Sequence, residues 1–136
     1  MTDTDAGTLA VVVEREVAFP PEKIWRALTQ PQLIEEWLMK NEFRPVTGHR
    51  FDLSADWGIV NCEVRTVETH RTLSYSWNTK DLRSVVTWTL TPTETGTILR
   101  MEQHGFQQHQ LAYHRGAMAA WPRFIDTMEA LLAKLE

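Results

Sequence analysis

The last thirty residues constrain this chain most. From Met118 onward the apolar residues fall at Met118, Trp121, Ile125, Met128, Leu132 and Leu135. Steps of three and four are the signature of one helix face. Phe124 and Leu131 widen that face. The pattern predicts one long helix from Gln107 to Glu136. A helix of about 28 residues is on the order of 40 Å long. Such an element, apolar along one side, is not stable alone in water and requires a broad partner surface.

The segments upstream supply that partner. Leu9 to Phe19 alternates as a strand, with Val11, Val13, Arg15 and Val17 on the face expected to look inward. Pro21 and Pro31 each suit a first helical turn, because a proline there gives up an N–H that has no partner anyway. Ile24, Trp25 and Leu28 mark one short helix; Leu33, Ile34, Trp37 and Leu38 mark a second. Five alternating segments follow. They run from His49 to Ser54, from Ile59 to Glu68, and through Leu73, Tyr75 and Trp77. The last two run through Val86, Trp88 and Leu90, and through Thr97, Leu99, Met101 and Gln103. Val67 breaks the parity of its strand, which predicts a bulge. Turn chemistry separates these strands at Asp56-Trp57-Gly58, His70-Arg71, Asn78 to Asp81 and Pro92 to Gly96. Tight turns imply antiparallel pairing. The first strand rejoins the sheet at an edge or beside the last strand. The expected class is α+β, a curved antiparallel sheet of about six strands around the long C-terminal helix. Residues 1–8 are expected to be a disordered N-terminus and 9–136 a single domain.

Certain chemistries are set aside by composition. At 136 residues the chain is long enough for one real core. Its net charge is −4 and its basic residues are scattered, which argues against a nucleic-acid surface. No run approaches the length of a membrane span, and the polar, acidic N-terminus does not read as a signal peptide. A cytoplasmic protein is the expectation. Cys62 is the single cysteine and is expected to be structural, facing inward beside Val60 and Val64. His104, His109 and His114 are spaced by five, which is not a same-face step on a helix, and no metal-ligand motif is present. Neither a metal nor a cofactor is expected. No nucleophile elbow occurs, and Glu63, Asp81, Glu102 and Asp126 fall on outward faces or turns. Arg83 is the one charge that could reach inward, if its strand starts a residue early. No catalytic residue is therefore assigned.

Six tryptophans are many for this length. They either fill the core or line a cavity. The expected lining is Tyr75, Trp77, Trp88, Met101, Gln103, Tyr113, Trp121 and Phe124. Met118 would add soft surface. Such a site takes a flat or apolar ligand held by a few polar groups.

The run Pro21-Glu22-Lys23-Ile24-Trp25-Arg26-Ala27-Leu28-Thr29-Gln30-Pro31-Gln32-Leu33-Ile34-Glu35-Glu36-Trp37-Leu38 resembles the opening of the homologues of the activator of heat-shock protein 90 ATPase. Those proteins belong to the START-like superfamily, also called SRPBCC or Bet v 1-like. Gly48-His49-Arg50-Phe51, Leu73 to Trp77, Gly96-Thr97-Ile98-Leu99 and Ala120-Trp121 resemble later motifs of the same family. The likeness spans Val11 to Leu132. It implies a helix-grip fold enclosing an apolar cavity, and so a binding domain for a hydrophobic or aromatic small molecule. Two alternatives come with it. One is an interaction domain that modulates a chaperone. The other is a cyclase or hydratase acting on an aromatic or polyketide-like substrate. An exposed edge strand would also be compatible with a homodimer. The chain departs from the family pattern at Ala120, where glycine is common, and at Pro122. A proline there removes a helical hydrogen bond to Met118, and predicts a kink or a junction of two helices between Gly116 and Pro122.

Overall fold

The computed structural model describes residues 8–135. The elements follow one another as β1 (Thr8–Val17), α1 (Pro21–Thr29), α2 (Pro31–Trp37), β2 (Lys40–Asn41), β3 (Arg50–Ala55), β4 (Gly58–Glu68), β5 (Thr72–Asn78), β6 (Arg83–Pro92), β7 (Thr97–Gln107) and α3 (Leu111–Lys134). The strands form one seven-stranded antiparallel sheet in the order β1-β7-β6-β5-β4-β3-β2. The sheet curves around α3, which is the helix-grip fold. The first strand lies beside the last and forms one edge.

The inner face follows the alternation read from sequence. Phe51 and Leu53 on β3, Val60, Cys62 and Val64 on β4, Val86, Trp88 and Leu90 on β6, and Leu99, Met101 and Gln103 on β7 are all buried. The parity break near Val67 is a register shift between Val64 and Thr66. β2 was not expected, because a two-residue strand has no periodicity to read; it pairs with Leu53 and Ser54. Thr8, expected within the disordered N-terminus, is instead the first residue of β1. Residues 1–7 of that segment, and residue 136, lie outside the described residues.

Two glycines allow close approaches that a side chain would block. A Cβ at Gly96 would stand 2.1 Å from the Val17 carbonyl oxygen. At Gly105 it would stand 2.4 Å from the Arg83 carbonyl oxygen, on a backbone at φ +126°. These keep β7 tight against the end of β1 and the start of β6.

The short helices close one end. Both begin on proline, as expected. Trp37 Nε1 donates to the Ala27 carbonyl at 2.7 Å and fastens α2 to α1. α3 runs unbroken through Pro122, so the alternative of two separate helices is not what forms. It starts at Leu111, four residues later than expected, because β7 continues to Gln107. Gln110 holds the junction: its Oε1 accepts from the Gln107 N–H and its Nε2 donates to the Asp81 carbonyl, both at 2.9 Å.

α3 is divided along its length. Its buried residues are Trp121, Ile125, Met128, Leu131 and Leu132, all from the middle of the helix onward. Met118, expected on the buried face, is 50% exposed. In the first half the row facing the sheet is Ala112, Gly116, Ala117 and Ala120. Small side chains there leave the helix and sheet apart.

Candidate functional site

The space left by those small residues is an open cleft of about 630 Å³. α3 forms one wall through Ala112, Tyr113, Gly116, Ala117, Ala120, Trp121 and Phe124. Its other sides come from Met39, from the β3–β4 hairpin (Trp57, Gly58, Ile59), and from Trp77, Thr79, Lys80 and Leu82 around the β5–β6 turn. Gln103 and Phe106 of β7 complete it.

Of the eight expected lining residues, Trp77, Gln103, Tyr113, Trp121 and Phe124 border this cleft. Tyr75, Trp88 and Met101 do not border it; they are packed in the core behind its wall. Tyr75 packs against Phe43 and Phe51, and Trp88 against Trp37 of α2 and Trp121 of α3. Edge-to-face contacts connect the two groups. Trp37 meets Trp88 at 5.5 Å, Trp88 meets Trp121 at 5.7 Å, and Trp121 meets Phe124 at 5.5 Å between ring centroids. Trp77 lies 5.2 Å from Trp121. This packing fixes the aromatic wall in place.

A buried polar chain runs beneath the aromatics. Trp121 Nε1 donates to Gln103 Oε1 at 2.7 Å. Gln103 Nε2 donates to Ser84 Oγ at 3.0 Å, and Ser84 Oγ donates to the Trp77 carbonyl at 2.6 Å. Gln103 is 2% exposed. Its amide therefore has a set orientation, because each end is committed to a different partner. Behind it, Trp88 Nε1 donates to the Tyr75 hydroxyl at 3.1 Å, and burial holds the Tyr75 phenol far above its ordinary range.

The mouth is built differently. Trp57, Ile59 and Tyr113 are 65%, 55% and 44% exposed. The Tyr113 hydroxyl donates to Asp81 Oδ2 at 3.2 Å, and that bond raises the phenol's pKa. Together with the Gln110 bond to the Asp81 backbone, it ties the β5–β6 turn to the start of α3. Trp57, Ile59, Leu82, Phe106, Met39 and Lys80 were not among the expected residues. The signal for Trp57 was present: a tryptophan at the tip of a two-residue hairpin has no core to enter.

Arg83 does not face the cleft. The alternation of β6 gives Ser84 the inward position and Arg83 the outward one; its Nη1 donates to the Thr79 carbonyl at 2.8 Å. The three spaced histidines lie apart. His104 bonds to Glu102 on the outer face at 3.1 Å, His114 bonds to the Ala10 carbonyl at 2.9 Å, and His109 is exposed beside Gln110. Cys62 is buried, and loss of hydration pushes its thiol up to about 12. Among the described residues, no helix is long and apolar enough to cross a membrane.

The model of the family described as activator of Hsp90 ATPase homolog 1-like protein matches residues 18–133. The chain belongs to the activator of Hsp90 ATPase homolog 1-like family. Solved structures of similar proteins agree with its fold. Protein MLL2253 from Mesorhizobium loti is 58% identical, with a TM-score of 0.92 over 94% of this chain and 99% of that one. Protein BH1534 from Bacillus halodurans is 25% identical, with a TM-score of 0.82 over 93% of this chain and 99% of that one. DynU16, a protein of the dynemicin biosynthetic locus, is 23% identical with a TM-score of 0.83, and shares the fold. The chain aligns over 92% of its own length with 47% of DynU16. No functionally curated protein matches the chain. Within the family pattern, Ala120 is one of the small residues that open the cleft, and Pro122 lies just beyond it.

Proposed function

We propose that this domain binds a hydrophobic or aromatic small molecule in the cleft between the sheet and the first half of α3. Trp77, Gln103, Tyr113, Trp121 and Phe124 would contact it, while Tyr75, Trp88 and Met101 support the wall from behind. One observation carries this reading. An aromatic-walled cleft of about 630 Å³ contains a single deeply buried, fully oriented amide, Gln103. Small-molecule sites commonly span about 300–1,000 Å³, with mostly apolar linings and a few placed polar groups. Membership of a family whose fold suits ligand binding supports the same reading.

The proposal is of binding rather than catalysis. The titratable side chains lining the cleft are Lys80 and Tyr113. Tyr113 is committed to Asp81, which moves its phenol away from neutrality. Acid–base work at neutral pH would need a group poised near that pH.

Tryptophan emission tests the reading directly, because Trp57, Trp77 and Trp121 all border the cleft. The full chain is titrated with fatty acids, sterols, flavonoids and aromatic acids. Saturable quenching or a spectral shift with one chemical class is the expected result. A flat response across all of them would overturn the proposal.

A further inference from the structure

The cleft carries a charge opposite to that of the protein. The chain has a net charge of −4. Yet among the described residues lining the cleft there is no aspartate, glutamate or histidine, and the one charged side chain is Lys80. No carboxylate among the described residues lies within ion-pair distance of Lys80. Its neighbour Asp81 accepts the Tyr113 hydroxyl at 3.2 Å, and borders a separate depression with His109 and Gln110.

The floor supplies a neutral polar group. Gln103 Oε1 already accepts from Trp121, and one hydrogen of Gln103 Nε2 goes to Ser84. A primary amide carries two hydrogens on nitrogen and two lone pairs on oxygen, so Gln103 keeps one N–H and one acceptor position for a ligand. Trp121 Nε1 and Ser84 Oγ have spent their hydrogens on Gln103 and on the Trp77 carbonyl. The cleft thus offers a neutral amide deep inside and its one charged side chain, the exposed Lys80, at the rim. Placing the charge at the rim matters. An anion paired there keeps part of its hydration, whereas an anion at the floor would lose it in apolar surroundings.

We infer that the cleft selects ring-containing carboxylates. The apolar body lies between Trp77, Trp121 and Phe124, the carboxylate meets Lys80 at the rim, and a polar group on the body reaches Gln103. This inference rests on the binding reading above and adds the sign and position of the ligand's charge.

The test compares two probes of nearly equal shape, 2-naphthoate and the uncharged 2-naphthamide, by titration calorimetry on the full chain at low salt. The expected result is naphthoate binding about fivefold tighter, the scale of one partly exposed ion pair. Added sodium chloride should narrow that gap by screening. Lys80→Gln should remove the preference, and Lys80→Glu should reverse it. Equal affinity for the two probes, or a preference that survives Lys80→Gln, overturns the charge selection while leaving ligand binding intact. Absence of heat with either probe, joined to a flat emission response across the ligand classes above, overturns the binding reading and this inference together.

Discussion

The indole N–H of Trp121 and the side-chain oxygen of Gln103 meet at 2.7 Å, in a spot where the two residues are 2% exposed each. This bond joins the middle of the long helix to the centre of the sheet. It lies at the point where α3 changes from a packed helix to one that stands off the sheet. Its donor and acceptor are cut off from water, so loss of one leaves the other unpaired at a cost of about 1–3 kcal/mol.

Gln103→Leu should therefore destabilise the fold by about 1–3 kcal/mol. Trp121→Phe alone should also cost stability. The double variant should recover about 1 kcal/mol relative to the sum, since neither orphan remains. Urea unfolding of the four proteins measures the coupling. Simple additivity would show that the bond contributes nothing specific.

Gly116 has open space where a Cβ would stand, and it borders the cleft. Gly116→Leu should fill part of the cleft and abolish ligand-induced changes in tryptophan emission. Replacing a helical glycine should also raise stability by up to about 1 kcal/mol. Loss of binding with intact or raised thermal stability is the expected pair of results. Undiminished binding would place the ligand elsewhere.

Pro122 sits inside α3 and withholds the N–H that would otherwise bond to the Met118 carbonyl. Pro122→Ala should restore that bond and raise stability by about 1 kcal/mol or more. It should also slow amide exchange through the middle of the helix. A loss of stability would show that the helix needs the proline's bend to follow the sheet.

Arg15 reaches from β1 to two carboxylates of α3, Asp126 at 2.6 Å and Glu129 at 2.7 Å. The pair is partly solvated, with the arginine side chain 28% exposed. Arg15→Met should cost about 0.5–1 kcal/mol at low salt, and less at high salt. Thermal melts at two ionic strengths check this. A salt-independent loss would trace the effect to packing of the arginine stem.

Burial raises the Cys62 thiol to about 12 and raises the Tyr75 phenol as well. Both folded-state values lie above the unfolded ones. Their stabilising contribution is therefore complete below the ordinary thiol range. It declines as pH rises toward and through the raised values, because only the unfolded chain releases these protons readily. Stability should fall between about pH 9 and 12. Cys62 should resist alkylation at pH 8 in the native protein and react once urea unfolds it. Rapid native-state labelling would contradict its burial.

The sequence by itself determined the types and order of all elements but the two-residue β2, and the face of each longer strand that turns inward. Period-two and period-three-to-four patterns record which side of an element is buried, and proline and glycine mark where elements begin and end. For that reason Gln103, Trp77 and Trp121 were legible as inward residues. The family was legible as well, from the run through Trp25 and Trp37. What periodicity cannot record is the distance between two inward faces. Trp88 and Trp77 have the same period-two signature, yet Trp88 is sealed in the core and Trp77 borders open space. That difference arises where the row Ala112, Gly116, Ala117 and Ala120 faces the sheet, a comparison of volumes across two elements far apart in sequence. The tertiary structure alone brought Trp57 and Lys80, both on turns, to the mouth of the cleft. Arg83 is outward because the alternation through Leu90, Trp88 and Val86 runs back without a bulge to Ser84.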